Sequence, residues 1–146
     1  MPTASEWGIT PRQSIEAECA RRGGTAVVDG CVRLIAGKDV DADLLIALGG
    51  PAAGKFLDGR PHADRYWLRV WGVRGLLWTW QDSAAPAVLA ALSDESWRVR
   101  EMAAKVVAKR SIGDAIPAVA RLRADPVPRV RTAAERAIRL LSRTGA

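Results

Sequence analysis

The sequence predicts an all-α protein, an α-solenoid of stacked helix pairs with a non-repeating helical cap at its N-terminal end. Three observations carry that prediction. The chain matches itself at a shift of 31 residues, each copy carries an apolar stripe at helical spacing, and helix-starting residues fall at matching places in successive copies. A fixed period of roughly twenty to fifty residues marks an array in which each unit buries its apolar face against the next.

The shift of 31 places Asp94 on Asp125, Arg98 on Arg129, Val99 on Val130, Arg100 on Arg131 and Ala103 on Ala134. Upstream it places Ser83 on Asp114, Pro86 on Pro117 and Val88 on Val119. A second step back sets Leu68 and Arg69 on Val99 and Arg100, Gly72 on Ala103 and Leu76 on Val107. The chain therefore reads as one domain, 1–146, with repeat units at 51–80, 83–110 and 114–142, the first the most altered.

Each unit reads as a helix pair. In the second helix of the middle unit Val99, Met102, Ala103, Val106 and Val107 follow the i, i+3, i+4, i+7, i+8 spacing of one buried stripe. Val130, Ala133, Ala134, Ala137, Ile138 and Leu141 repeat it in the last unit. The first helix of each pair is shorter. Ser83 and Asp114 are its expected N-caps, with Pro86 and Pro117 in the first turn, where a missing N–H costs little.

Ahead of the repeats, residues 1–10 form a loose lead-in and 11–50 a helical cap. Ile15 and Cys19, then Val27, Val28, Cys31, Val32 and Ile35, mark two helices parted by Gly23 and Gly24. Leu44, Leu45 and Leu48 mark a third that ends at Gly49, Gly50 and Pro51. A terminal unit must present one face to water, so the repeat motif is not expected there. The segment from Tyr66 to Trp80 is apolar nearly all round, which predicts a helix buried on several sides. Its Gly72 and Gly75 each lower intrinsic helicity by about 1 kcal/mol, offset where a neighbouring helix must approach closely.

The Asp-x5-Arg pattern, with Val before the Arg and a small residue, Ala103 or Ala134, three places after it, resembles the HEAT repeat family, in particular its short, phycobilisome-lyase-like variety. The resemblance implies a right-handed superhelix, of armadillo-like helical type. It also implies a polar ladder in which the Asp of the turn and the Arg of the second helix join successive repeats. Here that ladder would be Asp94, Arg100, Asp125 and Arg131. The first unit departs from the pattern, with Ala63 at the Asp position and Asp64 beside it.

Composition narrows the class. About half of the residues, 49%, are apolar, the usual share for a globular chain. No basic stretch followed by an apolar run opens the sequence, and no apolar run nears the roughly 20 residues needed to span a bilayer, so a cytoplasmic protein without membrane association is expected. Cys19 and Cys31 are too few and too widely spaced for a redox pair or a zinc site; they are expected as reduced thiols on neighbouring helices, with a disulfide open only if the fold brings them close.

The formal charge of +6 sits entirely in the C-terminal part: 94–146 carries twelve basic against six acidic side chains. Such a face either is simply solvated or receives an anionic partner. Stacking at 31 residues puts Arg74, Lys105 and Arg136 in one row and Trp67, Arg98 and Arg129 in another. With Trp97 just ahead of a second helix, these seven residues are the candidate binding face. Trp71 and Trp78 share the side of Trp67 and are expected in the core.

Catalysis has little to stand on. His62 is the only histidine, so metal sites and His-based acid–base schemes lack a second member. Gly49 to Lys55 lacks the spacing and the Ser or Thr of a phosphate-binding loop. HEAT-like DNA glycosylases use a Trp, an Asp and an Arg; Trp78 and Asp82 stand one turn apart, but no Arg completes the set. The reading is a non-catalytic protein-interaction module, expected as a monomer without cofactor or metal, that offers its second helices to a protein partner. The alternative is a nucleic-acid-binding module using the Arg and Lys rows. A chaperone-like lyase, or another enzyme, comes third.

Overall fold

The computed structural model describes residues 8–144, and every regular element among them is helical. The chain divides into two compact units, 1–84 and 85–146.

In the first unit, helix α1 spans Pro11–Arg22, α2 Gly24–Ile35 and α3 Ala42–Gly49. A 3-10 helix, Pro51–Leu57, follows, and then α4, Tyr66–Gly75. Thr10 starts α1 through a full capping box: its hydroxyl accepts from the Gln13 amide and the Gln13 side chain accepts from the Thr10 amide. Gly23, at φ 92°, takes a conformation open to glycine and ends α1 at the predicted break. Asp41 caps α3 by accepting from the Leu44 amide at 3.0 Å, and the same carboxylate takes two bonds from Arg22, at 2.7 and 3.0 Å. The end of α1 is thereby tied to the start of α3. Between the same helices the Ser14 hydroxyl donates to the Ala47 carbonyl.

Helix α4 is buried on nearly every side, with Leu68, Val70, Trp71, Val73 and Leu76 in the core. A Cβ at Gly72 would stand 2.8 Å from the Cys31 carbonyl oxygen, and one at Gly75 2.6 Å from the Cys31 sulfur. The two glycines therefore set how closely α4 approaches α2. Gly49 does the same for the Trp71 indole, whose Cε3 lies 2.6 Å from where its Cβ would be. Cys19 and Cys31 are free thiols on adjacent helices, and burial pushes the Cys31 thiol up to about 12.

Arg74 corrects one expectation. Aligned with Lys105 and Arg136, it belonged to the candidate face; instead it is buried, and its Nη2 donates to the Leu48 carbonyl at 2.7 Å. It lies in the first unit and caps the C-terminal end of α3, where a cation meets the negative end of the helix. Its Nε has no partner, and burial lowers its pKa to about 10.

In the second unit α5 spans Ala85–Ala91, α6 Trp97–Arg110, α7 Ile116–Arg121 and α8 Pro128–Thr144. These are two short–long helix pairs. Val99, Ala103, Val106 and Val107 on α6, and Val130, Ala134, Ala137 and Leu141 on α8, are buried along the predicted stripes. Met102 and Ile138 are only half-buried. Ser83 and Asp114 are not N-caps: each is the middle residue of a single 3-10 turn, Asp82–Ala84 and Gly113–Ala115, that leads into the helix. The turn supplies backbone partners at the helix entry, with Ala84 and Ala115 donating to Gln81 and Ile112, so no side-chain cap is needed. Pro86 and Pro117 do lie in the first turn.

The four residues of the expected ladder adopt repeated geometry. The Asp94 carboxylate accepts from the Ser96 amide at 2.8 Å, and Asp125 accepts from Val127 at 2.9 Å. Arg100 donates back to the Asp94 carbonyl at 2.8 Å, and Arg131 to that of Asp125 at 2.7 Å. Across the repeats, Arg100 grips the Asp125 carboxylate through Nε at 2.8 Å and Nη2 at 3.2 Å.

Candidate functional site

The stripes that bury α6 and α8 also decide what the two helices leave outside. On α6 the residues Glu101, Lys105 and Ala108 recur at four and three positions; on α8 Arg129, Thr132, Ala133 and Arg136 recur at three, one and three. Both spacings keep one helical face. Together with Pro128 they line a groove of about 340 Å³.

The floor of this groove is small and apolar, from Ala108, Ala133 and Pro128, and its walls are charged. Arg129 donates through Nε to Glu101 at 2.9 Å; the carboxylate side chain is 11% exposed and the arginine 62%. Lys105 and Arg136 have no carboxylate partner among the described residues. Three cations thus face one carboxylate, already engaged, which leaves the groove net positive.

Trp97, half-buried at the start of α6, extends the cluster. Its ring carries the Arg98 guanidinium at 4.5 Å and that of Arg129 at 5.2 Å. Cation–π contacts of this kind are worth about 0.5–1 kcal/mol when exposed. They hold both guanidiniums in place, so the cations are pre-oriented.

Five of the seven predicted face residues, Trp97, Arg98, Lys105, Arg129 and Arg136, are therefore brought together in the second unit. Trp67 belongs to the first unit, half-buried and stacked on Trp71 at 6.2 Å. Arg74 is the core residue described above. Glu101 was missed by the sequence reading. Its position one turn before Lys105, on the same helical face, was a usable signal, but its match at a shift of 31 is Thr132, so the repeat alignment hid it.

The residues considered for chemistry have ordinary partners. The His62 ring nitrogen faces the Asp58 carboxylate at 3.0 Å, and its ring meets Phe56 edge-on. Asp82 accepts from the Trp80 indole at 3.0 Å, and Lys55 pairs with Asp64. No group of three His, Cys, Asp or Glu among the described residues could hold a metal ion. No helix among them is long and apolar enough to cross a membrane.

No curated protein and no solved structure matches the chain. The family model of HEAT repeats matches residues 51–139, more than half of the chain. That span runs from the start of the 3-10 helix Pro51–Leu57 through α4, α5, α6 and α7 into α8. With an all-helical fold and the repeated Asp and Arg geometry at its turns, the chain belongs to the HEAT repeat family.

Proposed function

We propose that the chain is a non-catalytic protein-interaction module, and that the α6–α8 groove receives an acidic segment of a protein partner. HEAT repeats generally serve as scaffolds for protein interaction, which supports the class. The observation that carries the finer reading is the groove itself: Lys105 and Arg136, without carboxylate partners among the described residues, beside an apolar lining. Cations of that kind favour carboxylates, and the floor offers contact to the methylenes between them.

A nucleic acid would also answer to the charge, but base stacking needs an open aromatic face. The Trp97 ring is occupied by the chain's own guanidiniums. The protein partner is therefore the preferred reading.

The test is fluorescence anisotropy with a labelled Glu- and Leu-containing peptide, against single- and double-stranded oligonucleotides of equal charge, at low and physiological salt. Peptide binding that persists at physiological salt and falls about tenfold or more in Lys105→Glu with Arg136→Glu supports the reading. Oligonucleotide binding that outlasts peptide binding as salt rises replaces it with the nucleic-acid alternative.

A further inference from the structure

We propose that the first unit carries a second, separate site: a pocket that binds a small monocarboxylate with an apolar tail. The pocket, of about 530 Å³, lies where the end of α2, the loop before α3, the 3-10 helix and the entry to α4 meet. That volume falls within the range of roughly 300–1,000 Å³ typical of small-molecule sites. Leu34, Leu45, Phe56 and Leu68 form its buried apolar lining. Leu57, 47% exposed, is one of the few large apolar side chains open to solvent, and it too lines this cavity.

Two guanidiniums, Arg60 and Arg65, supply the polar end. Neither has a carboxylate partner among the described residues, although their own loop carries two acids, because each acid is already engaged. Asp58 accepts from the Arg60 amide and faces His62, and Asp64 pairs with Lys55. Arg65 also immediately precedes α4, whose first turn holds no acidic residue, so the positive end of that helix dipole adds to the field. Two exposed arginines, each able to grip a carboxylate by paired hydrogen bonds, thus line the same cavity as these apolar side chains.

The charge count selects the ligand. Asp39 also lines the pocket, and its carboxylate has no partner among the described residues. Two cations against one anion leave a single positive charge, matched by a monoanion and poorly by a phosphate dianion. The exposed Leu57 side chain, beside the edges of Leu34, Leu45, Phe56 and Leu68, then offers contact to a short acyl or aryl tail.

Methyl-resolved NMR titration with octanoate, 1-octanol and octylamine tests this on the intact chain. Octanoate is expected to saturate, shifting the methyl groups of Leu34, Leu45 and Leu68, and to bind at least about tenfold more tightly than octylammonium. Arg60→Gln with Arg65→Gln should weaken octanoate about tenfold while leaving octanol unchanged, and Asp39→Asn should strengthen octanoate about two- to threefold. All three side chains lie at the rim, so the variants are expected to keep the wild-type methyl spectrum. Absence of saturation at millimolar octanoate, equal binding of octanol and octanoate, or shifts confined to Ala108 and Ala133 in the other unit would each overturn the proposal. Peptide binding to the α6–α8 groove is unaffected by any of these outcomes.

Discussion

Arg100 grips both carboxylate oxygens of Asp125 from the neighbouring repeat while a third nitrogen of the same guanidinium holds the carbonyl of Asp94. One side chain therefore fixes the turn of its own repeat and the register of the next. Asp125 is 5% exposed and Arg100 15%, so the pair is shielded from water and salt. Removing one member leaves the other charge buried and unpaired, which costs more than the net value of the bond. Arg100→Ala and Asp125→Ala are each expected to lower stability by about 2–4 kcal/mol. The double variant should cost less than the sum, as read from urea unfolding in a double-mutant cycle.

Acid should weaken the fold through the carboxylates that it holds below their usual range, Asp41 and Asp125 among them. The Asp41 carboxyl is held down at about 2, first by its hydrogen bonds from Arg22 and then by the Leu44 amide. Burial pushes Asp125 up, but the Arg100 bonds and the Val127 amide outweigh it and the group ends below the usual carboxylate range. A folded-state pKa below the unfolded value of about 3.9 gives stability that is full above that value and is lost as pH falls toward the folded one. Tm is therefore expected to drop steeply between about pH 4 and pH 2. Asp41→Asn should flatten part of that drop while leaving the Asp125 contribution in place, as measured by circular dichroism melts at stepped pH.

Gly72→Ala tests the approach of α4 to α2. The added methyl would meet backbone, the Cys31 carbonyl oxygen at 2.8 Å, as well as Leu34 Cβ at 3.0 Å. Overpacking against such fixed atoms should cost about 1–3 kcal/mol despite the better helix propensity of alanine. Gly54→Ala is the control. Nothing lies within 4 Å of its Cβ position, so thermal unfolding is expected to stay the same or rise slightly.

Arg74 should separate charge from volume. Its guanidinium is buried with one hydrogen bond and an orphaned Nε, so burial of the charge opposes folding at neutral pH. Arg74→Met keeps most of the volume and removes the charge, and should leave stability within about 1 kcal/mol of wild type. Arg74→Ala opens a cavity as well and should cost about 2–4 kcal/mol. Equal losses in the two variants, measured by chemical denaturation, would assign the role of Arg74 to its bond with Leu48 instead.

Much of this was legible in the sequence because the repeat is local in its rules. Val99, Ala103 and Val107 announce their burial by spacing alone, and Arg100 and Asp125 stand in register with their copies. Gly72 and Gly75 announced a close helix approach, and the Cys31 contacts supply its partner. Arg74 was misread for the same reason that the others were read well. Equal position in an alignment implies equal surroundings only where the neighbours are also copies, and the neighbour of Arg74 is the end of α3, which lies ahead of the residues that the HEAT repeat model matches. Ser83 and Asp114 were misassigned because residues that favour N-caps also favour short 3-10 turns, and the choice between them lies in backbone bonds that side-chain identity does not record. The pocket of the first unit gave no local signal: Leu34, Phe56 and Leu68 meet only through the fold.

The joint at Arg100 also sets an order of assembly. The bonds from Ser96 to Asp94 and from Val127 to Asp125 span two residues, and the Arg-to-carbonyl bonds span six, so each turn can close within its own segment in the time of local chain motion. The forked bond from Arg100 to Asp125 spans 25 residues and must wait until two finished helix pairs meet. A bond that forms so late is expected to affect unfolding more than folding: its loss should leave the refolding rate nearly untouched while the folded unit lets go sooner. What the sequence repeats most faithfully is thus the part that can form first, and the lifetime of the folded state draws on a bond that neither repeat can make alone.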